Sequence, residues 1–276
     1  MTLFEYLSFP FVQYALVVGV MVALCASLIG VPLVLKRFSL IGEGLAHLAF
    51  TGMAVAAIIN IANDLFIIMP LTIFTAILLL VGRNKKIQGD ASIAMISVGA
   101  LALGYFIINV FSKKANVSAD VCASLFGSTA ILTLHQSDVV LGIIMSVLVI
   151  LTFLLFYNKI FALTFDPEFS KAAGVNIKIY EIILAVVIGI VVALSMRLVG
   201  SLLTSALIIF PALSSMRIFK SFRSVVICSA IIAIICAFCG MIYSIIGGTP
   251  VGATIVIANM AVFFVFSILG LIIRRA

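Results

Sequence analysis

Nine stretches of this chain run for roughly twenty residues each with almost no charge, the length an α-helix needs to cross the hydrocarbon of a bilayer. They are Phe11–Leu35, Ser39–Ile59, Asp64–Gly82, Ala91–Phe111, Val139–Tyr157, Ile179–Met196, Val199–Ile218, Ser224–Ile246 and Val251–Ile273. Inside a bilayer every backbone amide must find a partner within the protein, which restricts spanning structure to helices and closed barrels. Unbroken apolar runs of this length select helices. Only 9% of the 276 residues are charged, against about 25% in a soluble domain. The expected fold is all-α: a polytopic transmembrane helical bundle of about nine spans, eight being the alternative count, in one integral membrane domain covering residues 1–276.

The basic residues test the order of the spans. With the N-terminus outside, the inner loops hold Lys36, Arg37, Arg83, Lys85, Lys86, Lys159, Lys171, Lys178, Arg217, Lys220, Arg223, Arg274 and Arg275. The outer loops hold only Lys113, Lys114 and Arg197. Positive charge collects on the cytoplasmic side of membrane proteins, so this distribution sets the orientation, with the C-terminus inside. The net charge of +7 therefore reads as loops facing anionic lipid, with no nucleic-acid partner. The first ten residues carry Glu5 and no Lys or Arg, so no positively charged leader is expected. Tyr and Phe must serve at the interfaces, since Trp is absent. The five cysteines fall mostly in apolar runs, and Cys236 and Cys239 read as core packing rather than a redox or metal pair.

Two stretches are not simple spans. Asn116–Asp138 is semi-polar and placed outside, and its core Val121–Leu134 is too short to cross, which suggests a re-entrant piece. Asn158–Lys178 is placed inside. Within it, Pro167–Gly174 has Pro at its start and Gly at its end, the punctuation of a short helix. Such a helix suits docking of a cytoplasmic partner; an ordinary solvated loop helix is the alternative.

Ionisable groups inside spans mark function by default, because they are expensive there. Glu43 and His47 are four residues apart and share one helical face. Carboxylate and imidazole both ligate transition metals, and two donors leave a coordination sphere open. A helix-bridging ion pair, or a carboxylate sitting at the interface near the helix start, would use the same residues. Gly42, Gly44, Ala46 and Gly52 around them permit close packing or leave room for a path. His135, beside Asp138, reads as a solvated loop residue, and Asp120 as a weaker metal candidate at a pore mouth. Pro211 is expected to break or kink its helix and line a pathway. No Gly-Lys dipeptide occurs, so there is no P-loop and no ATP hydrolysis by that route; nothing reads as an enzyme site.

Four segments resemble the permeases of ABC importers for zinc, manganese and iron. VLKRFSLIGEGLAHLAFTGMA (Val34–Ala54) is similar to the family's most recognisable stretch, and FDPEFSKAAGV (Phe165–Val175) to its cytoplasmic coupling segment. VGSLLTSALIIFPA (Val199–Ala212) resembles its kinked helix, and GGTPVGATIV (Gly248–Ile257) the start of its last helix. With the helix layout, the likeness covers nearly the whole chain. One departure is Glu43, which stands where Asp is usual and carries its carboxylate one methylene further out.

The resemblance implies a homodimer of permeases, a cytoplasmic ATP-binding subunit, an extracytoplasmic metal-binding protein and a home in a prokaryotic inner membrane, among lipid. It implies that Glu43 and His47 line the path of a transported ion, zinc ahead of manganese or iron, with no permanent cofactor. It assigns ATPase coupling to Asp166, Pro167, Glu168, Phe169, Ala172 and Gly174. The alternative function is a secondary transporter or channel that uses Glu43 as an ion or proton site.

Overall fold

A computed structural model describes residues 9–59, 61, 63–82, 89–111, 136–174 and 176–275. In chain order the helices are α1 (Pro10–Leu35), α2 (Ile41–Ile59), α3 (Leu65–Val81), α4 (Gly89–Phe111), α5 (Gln136–Leu155), α6 (Tyr157–Phe165), α7 (Pro167–Ala172), α8 (Ile177–Val199), α9 (Ser201–Ile218), α10 (Phe222–Gly247) and α11 (Val251–Arg275). No strand occurs among the described residues. Eight of these helices are long and apolar enough to cross a membrane, and α3 is an apolar helix of 17 residues beside them. All nine expected apolar segments are therefore helical. The re-entrant stretch Val121–Leu134 lies outside the described residues.

Burial ranks the helices. Of its most apolar window, α8 has 78% buried and α1 72%, whereas α11 has 17%. So α8 and α1 form the centre, and α4, α5 and α11 the periphery. Large apolar side chains such as Phe66, Phe74, Met95 and Leu155 stand exposed on the outside, the surface that lipid rather than water accepts.

Apolar helices gain little by leaving lipid for one another, so their association rests on close approach and on small hydrogen-bonding side chains. Both devices are present. A Cβ added to Gly30 of α1 would lie 2.0 Å from the backbone carbonyl oxygen of Ile208 in α9. Thr72 of α3 donates to the Gly189 carbonyl of α8 at 3.2 Å, and Ser229 of α10 donates to the Ser27 carbonyl of α1 at 3.5 Å.

The turn between α1 and α2 is a Schellman closure. Phe38 N–H bonds the Leu33 carbonyl at 2.9 Å and Arg37 N–H the Val34 carbonyl at 3.1 Å, with Leu33 and Phe38 both buried. Arg37 takes the left-handed position usually held by Gly, at φ 62°.

Charge is concentrated at the two ends of the bundle. At one, Lys36 pairs with Glu181 at 3.8 Å. At the other, Arg197 bridges the starts of α3 and α5, reaching Asp64 at 3.2 Å, Asp138 at 3.0 Å and Asn63 at 3.1 Å. Residues assigned to one membrane edge by the alternation of spans thus meet in space. Asp138, read beside His135 in an outer loop, is tied to Arg197.

The segment after α5 is more ordered than expected. Besides the short helix expected at Pro167–Gly174, it contains α6, whose Ile160 and Leu163 are buried. Phe222, at the first residue of α10, meets the rings of Tyr157, Phe161 and Phe165 at 5.4, 5.3 and 6.0 Å. Each such pair contributes about 0.5–1.5 kcal/mol beyond burial, so α6 is fastened to the base of α10.

Two glycine substitutions should separate packing from propensity. Gly30→Ala forces a methyl into the α1–α9 contact and should destabilise the detergent-solubilised protein by about 1–3 kcal/mol. Gly99→Ala, in α4 with nothing within 4 Å of the added carbon, should stabilise by about 0.5–1 kcal/mol. Thermal unfolding of the two variants measures both, and equal effects would refute the packing account.

Candidate functional site

The site is built on the first half of α2. Glu43 is in the first turn of that helix and exposed; His47 is half-buried one turn further on. The faces flanking them are occupied by other helices. Gly42 meets Ile208 of α9: an added Cβ would be 2.8 Å from its Cδ1. Gly44 meets Ile93 of α4, with the corresponding distance 3.2 Å. Gly52 meets Ile68 of α3 at 3.4 Å, and Ala46 is fully buried. The small residues around the pair therefore serve close packing, and it is this packing that leaves Glu43 and His47 on the open face.

Contact with α4 also orients the imidazole. His47 Nδ1 lies 2.8 Å from Ser97 Oγ, and Ser97 is buried. One turn on, the Thr51 hydroxyl donates to the Ala100 carbonyl. A further turn of α4 brings Gly104 against Phe50. With Nδ1 engaged by Ser97, Nε2 is the nitrogen available to a ligand. For a neutral imidazole binding an ion through Nε2, Nδ1 carries the proton and donates it to Ser97 Oγ.

Among the described residues no group of three or more His, Cys, Asp or Glu side chains is gathered to hold a metal. Glu43 and His47 are two candidate donors on successive turns of α2. Asp120 and His135 lie outside the described residues. Cys236 is buried and Cys239 exposed, and both are free thiols, as core and surface residues of α10.

Pro211 does not break its helix: α9 runs from Ser201 to Ile218 with the proline buried inside it. The break is avoided because α9 is packed along its length by α1, α2, α10 and α11, and helical context commonly overrides proline in membrane bundles. Pro211 lies one turn from Ile208, the residue against Gly42, so this helix abuts the turn that carries Glu43.

The second expected cluster is at the far end of α5. Asp166 caps α7, its Oδ1 accepting from the Phe169 N–H at 2.9 Å, and Pro167 occupies the first helical position. Gly174 has φ 81°, closing the segment with a left-handed residue. Asp166, Pro167, Glu168, Phe169, Ala172 and Gly174 are all exposed, and only Ser170 of α7 is buried. Phe169 is 70% exposed, a large aromatic presented on a short, capped, charged helix.

Ser97, Phe222 and Arg197 were not identified as site or clamp residues from sequence. Ser97 carries no charge and sits in an apolar run, and Phe222 is an uncharged residue between Lys220 and Arg223, so only their spatial neighbours give them away.

Comparison with known proteins places the chain as a whole in a family. The model of the ABC 3 transport family matches residues 8–270. The chain is 27% identical to the manganese transport system membrane protein MntC of Listeria monocytogenes, over 94% of this chain and 90% of that one. It is 29% identical to the high-affinity zinc uptake system membrane protein ZnuB of Haemophilus influenzae, over 92% and 95%. The solved structure of PsaBC from Streptococcus pneumoniae in complex with Fab superposes with a TM-score of 0.83 at 25% identity, covering 96% of this chain and 94% of that one. With a family match along nearly its entire length and the helical architecture of a solved relative, the chain belongs to the ABC 3 transport family.

Proposed function

We propose that this chain is the membrane-spanning permease subunit of an ATP-driven importer that carries a divalent transition metal into the cytoplasm. The observation that supports this most directly is the His47–Ser97 bond beside an exposed Glu43. It presents one carboxylate and one oriented imidazole nitrogen on the same face of α2. Membership of an ABC family favours this reading over a secondary transporter or channel that uses Glu43 as a proton site.

In this reading the ion exchanges part of its water shell for a Glu43 oxygen and His47 Nε2, and the open positions keep its residence short. Zinc is our preferred cargo on the imidazole donor; manganese and iron accept the same pair, and relatives named for manganese and for zinc are both similar to this chain. Two copies of the chain enclose the path, and an extracytoplasmic metal-binding protein delivers the ion. A separate cytoplasmic ATPase binds the exposed face of α7 through Glu168 and Phe169. The aromatic ring cluster at Phe222 fastens α6, the helix that immediately precedes α7, to the base of α10. The protein resides in a prokaryotic inner membrane with its N-terminus outside and its C-terminus in the cytoplasm.

Metal accumulation by cells that depend on this chain tests the site. Glu43→Ala and His47→Ala should each abolish uptake while the ATPase still co-purifies; normal uptake by either would remove the assignment. Ser97→Ala should weaken apparent metal affinity by about 10–100-fold, the usual effect of losing the partner that orients a ligating histidine. Ser97→Thr, which keeps a hydroxyl, should recover most of it. Phe169→Ala should weaken ATPase binding about thirtyfold, as truncating an aromatic anchor does, without changing how the permease itself folds. An unchanged dissociation constant would reject α7 as the docking helix.

A further inference from the structure

A groove of about 580 Å³ runs along the outside of the bundle between the α5–α6 junction and the first half of α10. Its wall is apolar, with Val226, Ala230 and Ile234 spaced along α10. Its polar residues, Tyr157, Asn158 and Arg223, all sit where α5 ends and α10 begins. From Arg223 to Ile234 the helix rises about 16 Å, close to half of the roughly 30 Å hydrocarbon core. The groove therefore has the dimensions of one leaflet, with a cation at the headgroup end.

No carboxylate lines this groove, and Arg223 makes no ion pair among the described residues. An arginine fork matches a phosphate group through paired N–H donors. Asn158 and Tyr157 supply a neighbouring amide and hydroxyl for the ester and glycerol oxygens. A second groove on the other flank of α10, about 480 Å³ and bounded by Phe219, Cys228 and Phe266, has no charged residue. An acyl chain alone would suit either; only the first offers a counter-charge.

We propose that this groove is a binding site for an anionic glycerophospholipid of the leaflet at the basic edge of the bundle. Its phosphate bonds Arg223, its polar linkage meets Asn158 and Tyr157, and an acyl chain lies along Val226, Ala230 and Ile234. This rests on the membrane-spanning fold and on charge complementarity, and it is independent of the metal reading.

The test is native mass spectrometry of the full-length chain in detergent, titrated with phosphatidylglycerol or with phosphatidylcholine of the same acyl composition. Retained phosphatidylglycerol should exceed phosphatidylcholine by about fivefold, the factor expected for one basic residue at an anionic headgroup. Arg223→Ala should reduce phosphatidylglycerol to the phosphatidylcholine level, and Arg223→Lys should keep most of the preference. Ala230→Phe, which fills the wall, should reduce retention of both lipids. Inorganic phosphate at millimolar concentration should displace neither. Equal retention of the two lipids by the unmodified chain would overturn the proposal. So would an Arg223→Ala variant that keeps the preference, or displacement of the lipid by phosphate alone.

Discussion

A bilayer offers no water to an unpaired amide, and from that single fact most of this architecture follows. The chain meets it with helices, which close their own hydrogen bonds. Having done so, it has few polar means left to hold the helices together. What remains is the close approach that glycine allows and the short reach of a hydroxyl to a neighbouring carbonyl. Gly30 against Ile208, Thr72 on Gly189 and Thr51 on Ala100 are instances of these two devices. The most buried helices, α8 and α1, are where such contacts converge from several sides.

The same constraint explains where charge is found. Ionic contacts sit at the ends of helices, Lys36 with Glu181 at one edge and Arg197 with Asp64 and Asp138 at the other. In α2, Glu43 stands in the first turn and His47 one turn further in, so the ionisable pair reaches from the helix end into its length. That reach, in a helix otherwise devoted to packing, is what singles the pair out. The rest of α2 is used to hold them in place: its glycines face α9, α4 and α3, and Ser97 holds the histidine ring.

Much of this could be read in the residues. Hydropathy located all nine apolar helices because a spanning run is long and its flanks are charged. The helix at Pro167 was legible from its punctuation, Pro to begin and Gly to end. That Glu43 and His47 lie one turn apart on a single helix was legible because four residues is about one helical turn. Ser97 was not, since it is fifty residues away with nothing ionisable to mark it. The helix α6 escaped because nine residues, with aromatics on more than one face, establish no period. The span through Pro211 was legible as one apolar run; of the break or kink expected there, the break does not occur. The turn at Arg37 gives no signal at all, as arginine stands where glycine would advertise a left-handed residue.

Ile208 touches two helices in two different ways: its backbone carbonyl lies against Gly30 of α1, and its side chain against Gly42 of α2. Sliding α9 past either partner would drive peptide or methyl into a backbone with no slack. The three helices are consequently keyed to one another through this single residue. Glu43, next to Gly42, therefore stands on a turn whose spacing from α9 is set by the Ile208 side chain.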